Sequence, residues 1–526
     1  MGATSYLRRR PALIGYVADE PWRSVTYLGT LILLKLLLQF SLYRRGFISV
    51  AADEFARGLR AARWALEPRL DLIADVQDVW LPFEKYLNGI LLWLWPDVIL
   101  APRATVFIAS CLLLVFLFIL VRVLFQRFVV AALSTAFIAF QPWYAWLSGT
   151  PMLEMYYLAC FFAGLIFLVR WLQEKRRGYW LFSGLCFMLA SGFHVQSWIY
   201  INLVNLLTVG FLIGFLAQRH YRYAGQLLGH YVLSNVFILV YVAAEFLVRG
   251  ELFSFLAGHT SYSLWYYNGY DVPAITKFLY YPHLIVGHVS GVVWILLAIG
   301  LVFLWADKNR FWKLLPLAIA LLALSINSVL NVFSGPPSAA PARYSLFYIV
   351  MLSPYVAFGA YSLFRWGRQR PNPFLATTLP ALAVCLFAYG VWWGLARIPH
   401  YPRGMPLDAV ATGHYLRDVL AKEESSEENA VYMVELKYWE FLAIQLTARH
   451  YDNAVFDRED DLLNRDTPSI FLEPPANIHA ALLSENVRYV ALQDPALKEK
   501  AGLAGFLRQE KDIGSWTVFK FELFSK

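Results

Sequence analysis

The apolar residues of this 526-residue chain gather into blocks of roughly 20, the length an α-helix needs to cross a hydrocarbon core of about 30 Å. Charged residues make up 16% of the chain against 59% hydrophobic, too few to cover a soluble domain of this size. Eleven spans follow, near 25–43, 104–124, 129–147, 152–172, 179–195, 198–217, 228–248, 284–304, 313–333, 345–365 and 375–396. The apolar run 179–217 is too long for one helix, and Gly192, His194 and Gln196 offer a place to turn. The segments 425–428, 458–466 and 498–500 have a different, water-soluble composition.

Orientation comes from the basic residues. Alternate connections carry Arg8, Arg9 and Arg10; Arg122 and Arg127; Lys175, Arg176 and Arg177; Arg219 and Arg222; Lys308 and Arg310; Arg365, Arg368 and Arg370. The intervening connections 148–151 and 334–342 contain none until Arg343. Basic loops stay cytoplasmic, and all six fall on one side if the chain turns at Gly192. The loops 44–103 and 249–283 and the tail from about 397 then face outward, on the exoplasmic or periplasmic side of a cell (inner) membrane. The same rule explains the net charge of +8 without nucleic acid, for which no soluble basic domain exists. Cys111, Cys160, Cys186 and Cys385 lie in apolar blocks without metal-ligand spacing, so neither a disulfide framework nor a zinc site is read. No small-residue cleavage site follows the first apolar stretch, which reads as a span rather than a removed signal peptide.

The expected architecture is an α-helical polytopic membrane body over 1–396 and a C-terminal α/β soluble domain over 397–526. Within the tail, 409–420, 440–447 and 478–485 read as helices, and 430–434, 489–492 and 516–522 as strands. It holds no glycine-rich phosphate loop, so no nucleotide is assigned. In the loop 44–103, residues 51–66 have a helical pattern with Phe55, Leu59, Ala62 and Leu66 on one stripe and Arg57, Arg60 and Arg63 off it. That pattern suits a helix on the membrane surface with arginines near lipid phosphate. The loop 249–283 is rich in aromatics, among them Phe253, Trp265, Tyr270, Phe278, Tyr280 and Tyr281. They form an interfacial belt or, alternatively, a surface for sugar or lipid.

Asp53 and Glu54 open the surface helix at the rim of the apolar body, where adjacent carboxylates are expensive unless partnered. The bland reading is a helix cap with favourable charge in the first turn. More polar groups share the same outward level: Glu84 and Lys85 after an acidic stretch (Asp71, Asp75, Asp78), Arg103 before the second span, Glu154 inside the fourth, and Arg343-Tyr344 at the mouth of the tenth. Arg103 is more often a snorkelling interface residue than a catalytic one, and Lys35 is left unassigned. His194, His259, His283 and His288 are scattered at the outer level, where hydrogen bonding is the simpler role than zinc.

An Asp-Glu pair in the first outward loop, a surface helix, Glu-Lys, and an apolar run ending in arginine before the second span resemble the GT-C glycosyltransferases. The likeness is strongest to the protein O-mannosyltransferase and lipid A aminoarabinose transferase branch. In that branch two prolines usually follow the Glu-Lys pair; here Tyr86-Leu87 follow it. The resemblance implies that Asp53 is the general base, that Glu54 orients the site, and that Lys85 and Arg343 bind the donor phosphate, with Glu84, Glu154 and Arg103 in support. It implies an inverting hexosyl- or pentosyltransferase moving a sugar from a polyprenyl-phosphate donor to a lipid, glycan or protein acceptor, in contact with membrane lipids. No cofactor is expected, although Asp53 and Glu154 could together hold a divalent metal. A secondary transporter, which would carry inverted repeats and ions at mid-membrane, and a non-catalytic membrane scaffold are the alternative readings.

Overall fold

The structure, a computed structural model, describes residues 21–47, 49–73, 80–250, 252, 272–307, 310–333, 342–423, 431–436, 440–459 and 467–522. Arg8, Arg9 and Arg10, Asp75, Asp78, Lys308, the polar residues 425–428 and 460–466, the connection 334–341, and the aromatics from Phe253 to Tyr270 with His259 lie outside the described residues.

Helices occupy all eleven predicted apolar runs. Eight are long and apolar enough to cross a membrane alone, and a bent pair makes a ninth. The protein is an integral, multi-pass membrane protein. Burial orders the bundle: the helices Glu154–Glu174 and Ala342–Arg368 are 83% and 89% buried in their most apolar stretch, whereas Pro21–Arg44 and Pro373–Arg397 are 17% buried. The first two form the centre and the last two present leucines such as Leu33, Leu37 and Leu382 outward. Gly300 and Gly359 let the helices Gly291–Trp305 and Ser345–Arg368 touch backbone to backbone, since a Cβ on Gly359 would strike the Leu296 carbonyl. Small residues at such crossings are how helices pack where both partners are as apolar as lipid.

Two runs are broken where straight spans were expected. The 129–147 run ends its first helix, Phe128–Ala139, before Gln141, whose side chain caps a second helix, Pro142–Leu147, by accepting from the Tyr144 N–H. The 284–304 run divides into Ala274–Gly287 and Gly291–Trp305, bent by 98°, because Ser290 has extended backbone. The breaks meet: Trp143 Nε1 donates to His288 Nε2 at 3.1 Å. The turn near Gly192 stands as read, with one helix ending at Phe193 and the next starting at Gln196. The Phe83 ring fills the space a Cβ on Gly192 would need.

The tail folds as a five-stranded sheet in the order β2-β1-β3-β5-β4, with β1 Val431–Val434, β2 Ala454–Phe456, β3 Val487–Leu492, β4 Leu507–Ile513 and β5 Trp516–Phe521. β1 runs parallel to β2 and β3, while β5 is antiparallel to β3 and β4. Helices Leu407–Glu423 and Glu440–Ala448 share a core with one face of the sheet, and Pro475–Ser484 and Pro495–Leu503 with the other. The sequence pattern missed β2, which is three residues long, and β4, an edge strand whose Arg508, Gln509 and Glu510 face water.

The surface helix spans Asp53–Leu66, but its environment corrects the expectation. Phe55, Leu59 and Ala62 are buried in one core with Phe441, Ile444 and Leu446 of the tail. These three residues of the stripe face protein rather than lipid, and Leu66 at its end is exposed.

Candidate active site

The two innermost helices begin at the same place. Glu154 is the first residue of its helix, and Arg343 lies in the short turn Ala342–Tyr344 that opens the other. Helix N-termini carry partial positive charge and unsatisfied N–H groups, so anions are welcome there. Between them Arg343 Nε donates to Glu154 Oε1 at 2.6 Å, and its Nη2 donates to Asp53 Oδ2 at 3.0 Å. The Asp53 side chain is 23% exposed, against 7% for Arg343 and 1% for Glu154. Asp53 is therefore the member that faces the opening. It is not the helix cap: that position is Ala52, which offers no side-chain bond. Asp53 stands in the first turn.

Burial pushes the Asp53 carboxyl up, but Arg343 and, behind it, Arg57 outweigh that effect and hold it below its ordinary value. The group is ionised across the neutral range. Glu54 behaves oppositely. Burial raises it to about 7, only partly offset by Arg103, whose Nη2 stands 3.4 Å from the Glu54 carboxylate. Arg103 is anchored by donating to the Ile99 carbonyl at 2.7 Å. Neighbours in sequence, Asp53 and Glu54 thus belong to separate ion pairs.

The sequence reading placed Arg57 among cations reaching for lipid phosphate, and the structure corrects this. Arg57 is 2% exposed, one helical turn after Asp53. Its guanidinium lies 5.1 Å from the Trp80 ring centroid and 3.5 Å from Met152 Sδ, and its Nε has no hydrogen-bond partner among the described residues. A sulfur is a weak acceptor, so among the described residues Arg57 is a buried cation without a carboxylate in ion-pair range. The signal was present in the sequence: residues four apart share a helix face, so Arg57 had to follow Asp53 inward. Arg60 donates to the Trp80 carbonyl and Arg63 to Tyr451.

Lys85 and Glu84 sit in their own network. Lys85 Nζ is 3.2 Å from Asp71, and Glu84 accepts from Asn88. Asn88 Oδ1 in turn accepts from Thr105 Oγ1 at 2.6 Å and from the Tyr156 hydroxyl at 3.3 Å. Tyr156 belongs to the Glu154 helix, so this network adjoins the arginine cluster, although Lys85 makes its ion pair with Asp71 rather than with an acid of that cluster. Tyr344 completes the wall. The Gln196 N–H donates to His194 Nδ1 at 3.0 Å, which leaves the imidazole proton on Nε2, and Nε2 is 3.2 Å from the Tyr344 oxygen. Tyr344 thus accepts from His194 and keeps its own hydroxyl proton to give.

His288 bonds to Trp143 and to Ser345 Oγ, while His194 bonds to the Gln196 N–H and to Tyr344. Asp53 and Glu154, the two acids offered for a metal, have a guanidinium between them instead. Among the described residues no group of three or more His, Cys, Asp or Glu could hold a metal ion.

No protein-family profile matches the sequence, and no curated protein matches it. Solved structures do match. The crystal structure of ArnT from Cupriavidus metallidurans bound to undecaprenyl phosphate is 13% identical at a TM-score of 0.63, covering 94% of this chain and 98% of that one. The archaeal oligosaccharyltransferase AglB from Archaeoglobus fulgidus, in complex with an inhibitory peptide and a dolichol-phosphate, is 12% identical at 0.54, covering 96% and 75%. Both neighbours are of the GT-C superfamily, ArnT being a lipid A aminoarabinose transferase. With a membrane-helix body whose two innermost helices begin at the charge cluster and a C-terminal sheet domain, the chain has the GT-C fold.

Proposed function

We propose that this protein is an inverting glycosyltransferase that moves a sugar from a polyprenyl-phosphate donor to an acceptor at the outer face of its membrane. The observation that carries the reading is the Asp53–Arg343–Glu154 cluster, in which Asp53 is the most exposed member, with Arg57 buried beside it and, among the described residues, in no ion pair. The undecaprenyl and dolichol phosphates on the two neighbours support a lipid-linked donor. Nucleotide sugars are cytoplasmic, whereas a polyprenyl-linked sugar can be presented laterally from the outer leaflet.

In this reaction the acceptor oxygen or nitrogen attacks the anomeric carbon from the side opposite the phosphate, and inversion follows. The bond from that carbon to the phosphate oxygen breaks, and its electron pair leaves with the phosphate. The acceptor proton passes to Asp53. Arg57 and the Tyr344 hydroxyl stabilise the growing phosphate charge, and Lys85 and Arg343 contribute positive field. Arg343 is shared by two acids, which keeps Asp53 ionised but weakly basic. Phosphate competes for that guanidinium, so donor binding loosens the grip on Asp53 and strengthens it as a base when one is needed. Glu54 and Glu84 hold the opening helices in place through Arg103 and Asn88. The mechanism runs without a metal.

The test is incubation of the purified protein with radiolabelled polyprenyl-phosphate sugars, scoring label transferred from lipid. Asp53→Asn abolishes transfer while donor binding persists. Turnover retained in that variant removes Asp53 as base. EDTA leaves the rate unchanged; loss restored by Mg²⁺ or Mn²⁺ would refute the metal-free reading.

A further inference from the structure

The helix that carries Asp53 is held from two sides. One face delivers Asp53 and Arg57 to the membrane body. The other is covered by the C-terminal domain, through Phe55, Leu59 and Ala62 against Phe441, Ile444 and Leu446. We propose that the tail helix Glu440–Ala448 is a positioning clamp for Asp53, with Gly58 and Leu446 as its closest point, so that the C-terminal domain sets the distance between Asp53 and Arg343.

Three observations carry this. A Cβ built on Gly58 would lie 2.9 Å from Leu446 Cδ2. Gly58 has ordinary helical backbone and no conformational need for glycine, so close approach is what it provides. The contact is fastened on both sides. Arg63, one turn beyond Leu59, donates to the Tyr451 carbonyl at 2.9 Å, and Arg449 of the tail donates to the Pro96 carbonyl at 2.7 Å. The clamp is also stiff behind. The helix Leu407–Glu423 presses on it where Gly413 meets Thr447 and the Ile444 carbonyl. Among the described residues the membrane body holds the Asp53 side chain by one hydrogen bond, from Arg343. A displacement at Gly58, five residues along a rigid helix, therefore reaches the Asp53 carboxylate directly.

The inference rests on the proposed function for its catalytic meaning, but its geometry can be tested without turnover. The full-length protein is compared as wild type, Gly58→Val, Leu446→Ala and the double variant. Donor KM stays within about twofold in Gly58→Val while kcat falls roughly ten- to a hundredfold. The acid limb of its pH profile shifts as the valine displaces Asp53 relative to Arg343. The double variant, in which the smaller residue 446 admits the valine, recovers both. Independently, the infrared carboxyl band assigned by Asp53→Asn subtraction titrates at a shifted pH in Gly58→Val and returns in the double variant. An unmoved Asp53 titration in folded Gly58→Val protein overturns the clamp, whatever the transfer assay gives. A wild type that transfers from no donor overturns the enzymatic reading and leaves the infrared comparison to decide the clamp.

Discussion

A buried guanidinium is costly to keep unless hydrogen-bonded, and Arg57 makes no ion pair among the described residues although it lies one helical turn from Asp53. Hydrogen bonds to charged groups contribute about 1.5–3 kcal/mol each, so Arg57→Gln should weaken binding of undecaprenyl phosphate by roughly ten- to a hundredfold. The ligand-induced rise in melting temperature in detergent measures this, and an unchanged rise would remove Arg57 from the phosphate site. Glu54 supplies a pH-dependent counterpart. Its folded value of about 7 stands above the ordinary 4.5. Both states are protonated well below 4.5. As pH climbs from there to 7, the unfolded chain gives up its proton while the folded one keeps it, and stability is lost. Glu54→Gln removes that loss. Its melting temperature should gain on wild type between pH 5 and 8, by at most about 3 kcal/mol in stability, and a constant difference across that range would contradict the assignment. Residue identity alone suggested these acids. Their opposite behaviour is decided by packing: at Asp53 Arg343, brought from a distant part of the chain, helps outweigh burial, whereas at Glu54 burial outweighs Arg103.

At the level of elements, apolar length and period read well, and context read poorly. Every long apolar run became helix. The breaks at Gln141 and Ser290 were hidden because both lie inside apolar blocks, and the bonds that stabilise them run between the two breaks. The stripe on Asp53–Leu66 was correctly seen as apolar, yet hydrophobic burial is non-directional, and nothing in the stripe says whether lipid or a tail helix will cover it. Crossing distance is likewise set by pairs of elements. Gly359→Val should force the helices Gly291–Trp305 and Ser345–Arg368 apart, because the collision is with backbone and cannot be relieved by a rotamer. A loss of about 1–3 kcal/mol or more is expected, measured as lower thermal stability in detergent. A variant as stable as wild type would mean that the crossing is looser than described.

For the molecule as a whole, the sided distribution of basic residues makes a topological prediction. Cysteine introduced at Glu499 in the tail should react with a membrane-impermeant maleimide in intact cells, and cysteine at Arg177 only after the membrane is opened. The native cysteines lie within helices of the body and give the background. The reverse pattern would turn the protein over and put its charge cluster among nucleotide sugars.

By itself the sequence determined that the chain lives in a membrane, how many apolar segments it has, and that acids and cations gather at one level of it. Those properties are local: span length and the placement of lysine and arginine are read within a few tens of residues. Only the tertiary structure decided that Asp53, Glu154 and Arg343 form one cluster, that Lys85 pairs with Asp71, and that the C-terminal domain covers the helix carrying Asp53. The physical reason is that a charge taken out of water must find its partner in space, and that partner is fixed by the packing of helices far apart in the chain.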